Sequence, residues 1–267
     1  LNVSPIFNRG MHDRVPAGMA NHTVVLTDGN PYLSREFLVG EEICAQLDGF
    51  GELVLSVTTG QQLHVTCGEM DQDNSYECVK IDDMVYVLHF EVANQSPRKC
   101  LSIVYDKASG EITVFLAKQG HCAEYLRRVE REIYFGSVRQ PDGTYPTGRA
   151  AYTEDLIGKS IDFTYTSDAT VRHTYIAPHL FKWEFLSAAE GADAVGASQK
   201  EYCDYVKIND HIYIFSWLEK IAGVQGFCVE NLDRLYHVGG FFGIGPDDLP
   251  ECYTMAAYGC MAEFDPD

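Results

Sequence analysis

The chain has 267 residues and a formal charge of −19, from 20 basic and 39 acidic side chains. That balance argues against nucleic acid or an anionic membrane as partner, because phosphate binding relies on Lys and Arg. No apolar run reaches the ~18 residues of a membrane-spanning helix, and 46% hydrophobic with 22% charged residues is ordinary globular composition.

Residues 1–35 read as an N-terminal extension, mixed in composition and without a signal-peptide pattern. From there the chain reads as strand after strand, each rich in Val, Ile, Tyr and Phe and bounded by turn residues. The first set spans 41–47, 52–58, 62–67, 75–81, 84–91, 99–105 and 111–117. One helical candidate follows, Cys122 to Arg131. A linker is expected at 141–150, where Pro141, Asp142, Gly143, Pro146 and Gly148 cluster. The second set spans 159–166, 171–177, 181–186, 202–208, 211–219, 224–231, 236–243 and 252–259.

The two sets are copies of one another. Val79-Lys80-Ile81-Asp82-Asp83 returns as Val206-Lys207-Ile208-Asn209-Asp210, an offset of 127, and reads without a gap to Tyr105-Asp106-Lys107 against Leu232-Asp233-Arg234. Upstream, Val39-Gly40-Glu41-Glu42-Ile43 matches Ile157-Gly158-Lys159-Ser160-Ile161 at an offset of 118, and the polar stretch 187–200 absorbs the difference. A period this long is a duplicated domain rather than a solenoid repeat. The expected architecture is all-β: two tandem antiparallel barrels, 36–140 and 151–267. An unbroken meander loses its exposed edges by closing, and an eight-stranded barrel holds at most one small ligand.

The second copy carries the candidate chemistry. With the two-residue period of a strand, 212–219 puts Tyr213, Phe215, Trp217 and Glu219 on one face. A carboxyl among aromatics loses hydration, which raises its pKa and suits it to acid–base work near neutrality. In the repeat, Glu219 falls opposite Val92, so packing alone does not call for it. His173 and Tyr175 share a face of the neighbouring strand, with Arg172 on the other, and could meet Glu219 across the lumen. Tyr165 and Trp183 would complete an aromatic wall. A lone strand histidine is more often structural, and the other histidines show no metal-ligand spacing, although two or three could converge in the fold. The expectation is no metal and no cofactor. The nine cysteines form no C-x-x-C pair and mostly sit in apolar runs, which points to reduced thiols and a cytoplasmic home.

These residues resemble a known family. Asp155-Leu156-Ile157-Gly158-Lys159, Arg172-His173-Thr174-Tyr175, Trp183 and the run from Tyr213 to Ile221 are similar to the C-terminal half of the molybdenum cofactor biosynthesis protein F (MoaF) family. The Gly239 to Gly243 segment and Ala257-Tyr258-Gly259 add to the likeness, and the first copy resembles that family's N-terminal half more loosely. The resemblance implies lipocalin-like barrels. The chain departs at Arg172, at Ala222-Gly223 and at Ala188 to Asp193, all beside the expected pocket. More distantly, Ser216-Trp217-Leu218-Glu219 looks similar to a strand of phenolic acid decarboxylases, calycin barrels that work without cofactor. Two function classes stay open. One is a cofactor-independent lyase or isomerase, with Glu219, His173 and Tyr175 catalytic and Tyr165, Arg172, Trp183, Tyr213, Phe215 and Trp217 binding a small aromatic or apolar metabolite. The other is a non-catalytic small-molecule binding protein. A homodimer is left open.

Overall fold

A computed structural model describes residues 37–120, 129–165, 169–188, 194–219, 223–244 and 250–267. The chain divides into two compact units, with the division falling between Ala151 and Tyr152. Every regular element among the described residues is a strand, and none is a helix long and apolar enough to cross a membrane.

The first unit contains β1 (Glu42–Leu47), β2 (Gly51–Thr59), β3 (Gln62–Cys67), β4 (Met70–Ser75), β5 (Glu77–Asp82), β6 (Val85–Val92), β7 (Arg98–Asp106), β8 (Glu111–Gln119) and β9 (Val129–Val138). They form one antiparallel sheet in the order β4-β3-β2-β1-β9-β8-β7-β6-β5. The two ends of that order are continuous in the chain through Tyr76, so the sheet is a nearly closed barrel. The Asn74 side chain helps to hold the seam by accepting a bond from the Ala93 backbone N–H at 2.7 Å. Alternation fills the interior: Leu53, Leu55 and Val57 of β2 pack with Tyr86, Leu88, Phe90 and Val92 of β6 in one apolar core.

The second unit contains the short β10 (Ala151–Tyr152), then β11 (Ser160–Thr164), β12 (Thr170–Ala177), β13 (Leu180–Ser187), β14 (Ser198–Lys207), β15 (Ile212–Leu218), β16 (Val224–Asn231), β17 (Tyr236–Ile244) and β18 (Pro250–Ala262). Its sheet runs β14-β13-β12-β11-β18-β17-β16-β15, and β14 pairs with β15 again, closing an eight-stranded barrel. The long β14 serves both neighbours: 198–201 pairs with β13 and 202–207 with β15. It does alone what β4 and β5 do together in the first barrel. Full pairing leaves no edge among these eight strands.

Three readings of the sequence change here. Residues 129–131 of the helical candidate belong to β9, and 122–128 lie outside the described residues. The polar segment Met70–Ser75 is a strand, and residues 198–200 of the supposed insertion begin β14. Finally, the repeat does not run gap-free past β6. Tyr86 faces Tyr105, whereas its copy Tyr213 faces Glu230. The turn after β15 is shorter than the turn after β6, so Tyr105 corresponds to Glu230 rather than to Leu232.

Candidate functional site

Ring contacts across the second barrel show which face of each strand looks inward. Phe215 lies 5.4 Å from Tyr175 and 5.2 Å from Phe181, and it stacks on Trp217 at 4.9 Å and 12°. The face of β15 that carries Tyr213, Phe215 and Trp217 therefore lines the lumen, and Glu219 follows it one step beyond the strand. Inward residues at this end, Trp183, Phe185, Glu219 and Phe241, keep partial solvent access, while those in the middle of the barrel are buried. The Glu219 end is thus a rim.

At the rim the Trp217 indole N–H donates to Glu219 Oε1 at 3.3 Å, and the Glu219 backbone N–H donates to the Val224 carbonyl at 2.8 Å. Burial pushes the Glu219 carboxyl up to about 7, the Trp217 bond pulls against that, and the Glu201 and Glu251 carboxyls push further in the same direction. Part of the side chain is accessible, yet protein surrounds most of the carboxyl. The surroundings set the shift, because hydration of the charged form needs room on all sides. A carboxyl with this pKa is present in both protonation states at neutral pH.

Deeper in the lumen sits a second polar group. Glu230 of β16 is fully buried, and its Oε1 accepts a short hydrogen bond from the Tyr175 hydroxyl. The same oxygen lies 3.9 Å from His173 Nδ1. His237 of β17 is directly opposite Glu230 in the ladder and also fully buried. One ligand-capable atom from each of His173, Glu230 and His237 lies within 4.8 Å of the other two. Aromatic rings fix the imidazoles: Phe163 stacks on His237 at 4.2 Å and 15°, and Phe215 meets His173 edge-on at 5.1 Å. Burial, and then proximity to His173, hold the His237 pKa well below the usual histidine value.

The repeat shows that the barrel does not need this group in order to fold. Ile43 faces Leu55 as its copy Ile161 faces His173. Tyr105 faces Ile112 as Glu230 faces His237. The first barrel thus has Leu55, Tyr105 and Ile112 where the second has His173, Glu230 and His237, and all three belong to the first barrel's apolar core.

The residues singled out from the sequence divide accordingly. Glu219, Trp217 and Phe215 form one line from rim to lumen. The carboxyl that His173 and Tyr175 face is Glu230, which the sequence reading passed over. Tyr165 lies in the lumen, fully buried, 5.2 Å from the His237 ring. Trp183 faces His173 across the β12–β13 ladder and sits at the rim, its buried indole nitrogen without a hydrogen-bond partner. Tyr213 caps the other end, its single hydroxyl proton shared between the Asp155 carboxylate at 3.2 Å and the Asp210 carbonyl at 3.3 Å. Arg172 does not reach the lumen. It lies on the outward face of β12 in a two-pronged pair with Asp162, at 2.7 and 2.9 Å.

Comparisons with known proteins bear on the second barrel. The family model of the MoaF C-terminal domain matches residues 150–264, which is the second barrel. The second barrel is therefore a MoaF C-terminal-like domain. Protein MoaF of Klebsiella aerogenes is 26% identical over 124 residues, covering 46% of this chain and 44% of that relative. The matched part is thus under half the length of the curated MoaF. Among solved structures, a putative beta-lactamase from Burkholderia vietnamiensis superposes over 42% of this chain and all of that chain at 10% identity. Its TM-score of 0.34 carries no argument about fold or function.

Proposed function

We propose that the second, MoaF C-terminal-like barrel takes up a small, partly aromatic or apolar metabolite at its rim. There Glu219 would act on it as a general acid and base, in a lyase or isomerase reaction. One observation carries the reading: a carboxyl raised to about 7 stands at the open end of an aromatic lumen, hydrogen-bonded to a tryptophan. Proton transfer is most effective when the pKa of the group lies near the working pH, because both forms are then available. Trp217 and Phe241, 5.4 Å apart and edge-to-face, offer flat apolar surface beside the carboxyl. The eight described cysteines are all free thiols, which supports a reducing, cytoplasmic setting.

The second reading is a binding protein without turnover. The middle of the lumen supports it, since Phe163, Phe181 and Phe215 fill that space and leave the rim as the place of contact. Native mass spectrometry of the purified protein identifies a retained small molecule. Incubation of that molecule with the protein in deuterated water then separates the readings. An acid–base enzyme exchanges a carbon-bound proton for solvent deuterium, and Glu219→Gln abolishes the exchange while changing affinity by less than about tenfold. Unchanged exchange in Glu219→Gln refutes the assignment to Glu219, and binding with no exchange in wild type favours the binding protein.

A further inference from the structure

The middle of the second barrel holds polar atoms that its fold leaves unanswered. His173 Nδ1, both ring nitrogens of His237 and Glu230 Oε2 are buried with no hydrogen-bond partner. Buried polar groups are nearly always paired, so each such atom calls for an explanation. Here four occur on three residues that converge within 4.8 Å. They come from three different strands, and the equivalent strands of the first barrel supply Leu55, Tyr105 and Ile112 to an apolar core. The sequence has therefore placed two imidazoles and a carboxyl where this fold otherwise places hydrocarbon and a phenol.

We propose that His173, Glu230 and His237 form a binding site for a divalent first-row transition-metal ion. Two imidazole nitrogens and one carboxylate oxygen match the preferences of Zn(II), Fe(II), Co(II) and Mn(II), and the set contains no thiolate. Metal–ligand bonds of about 2.0–2.2 Å bring ligand atoms to roughly 3–3.5 Å from one another. The atoms now lie within 4.8 Å of one another, so taking up an ion draws the three side chains together by up to about 1–2 Å. Tyr175 supplies the outer support, because its hydroxyl donates to Glu230 Oε1 and orients the carboxylate. Phe163 against His237 and Phe215 against His173 hold the rings in place. The inference is independent of the role given to Glu219, which lies at the rim.

The test uses the full chain, stripped with chelator and titrated with Co(II) and Zn(II). Native mass spectrometry counts the ions and visible absorption reports the Co(II) environment. One tightly held ion per chain with a low-symmetry Co(II) spectrum is expected. Glu230→Gln, which replaces one oxygen and removes the charge, should weaken binding by at least the roughly 10–100-fold that follows loss of a supporting outer-shell group. The double variant His173→Leu with His237→Ile restores first-barrel residues, so it should fold and bind no lumen ion. His64 is exposed and lies 2.7 Å from Asp71 and 2.8 Å from Asp73, a competing surface site. His64→Ala should leave the spectrum unchanged, and so should Glu219→Gln. The proposal fails if wild type holds no ion, in which case a buried water is the alternative occupant. It also fails if Glu230→Gln binds as wild type does, if the folded double variant keeps the ion, or if His64→Ala loses it.

Discussion

Replacing Glu219 by Gln should stabilise the protein at alkaline pH and do almost nothing at acid pH. In the unfolded chain this carboxyl ionises near 4.5, whereas in the folded barrel it keeps its proton to about 7. Below both values the side chain is neutral in either state, and a neutral Glu resembles Gln in size and hydrogen bonding. Between them the folded protein binds more protons than the unfolded chain, so stability falls as pH rises. Above the folded value the full cost of holding a charge at the rim is present. At about 1.4 kcal/mol per pKa unit the shift corresponds to about 3 kcal/mol, and partial solvent access at the rim reduces this to about 2–3 kcal/mol. Gln carries none of it. The difference in unfolding free energy between variant and wild type should therefore climb from near zero at about pH 4 to that plateau by about pH 8. Urea denaturation followed by tryptophan fluorescence suits the measurement, because both tryptophans of the chain, Trp183 and Trp217, lie in the second barrel. A difference that is flat across this pH range, or a wild type more stable than the variant at about pH 8, would refute the reasoning about Glu219.

The neighbouring carboxyls give a graded version of the same measurement. Glu201→Gln should move the midpoint of that climb to lower pH, and Glu251→Gln should do so less, following the order in which they act on Glu219. Gly226→Ala should disturb the rim, because the added methyl would stand 2.1 Å from the Trp217 ring. That ring is wedged by Phe181, Phe215 and Phe241 and has nowhere to go. A loss of about 1–3 kcal/mol is expected, with a shift in Trp217 emission, and a variant matching wild type in both would contradict the packing described. In metal-free protein, Tyr175→Phe removes the hydroxyl that bonds Glu230 Oε1 and should cost about 1–3 kcal/mol in urea denaturation; a neutral result would show that this bond does not support the buried carboxyl.

Most strands were readable because an inward face that must be apolar leaves a period of two in the sequence. Leu53, Leu55 and Val57 show it, and so do Tyr213, Phe215 and Trp217. Met70–Ser75 and 198–201 lack it, because those segments hold their place through ladder bonds while many of their side chains face water. No apolar pattern marked them. Residues 129–131, expected in a helix, lack it too. Arg172 could be seen from the sequence to alternate with His173, but its partner Asp162 lies on another strand and only the ladder brings them together.

By itself, then, the sequence determined the β periodicity, the duplication, and the contrast between Glu219 and Val92, since all three are written in local spacing or in a direct comparison of copies. Only the tertiary structure decided that Glu219 is shielded enough to titrate near neutrality, and that His173, Glu230 and His237 share one space. Burial depends on what other strands place around a side chain. Register past β15 depends on a turn length that shifts Glu230 into line with Tyr105. Closure of the barrel converts residues far apart in the chain into neighbours a few ångströms apart, and no spacing along the sequence carries that information.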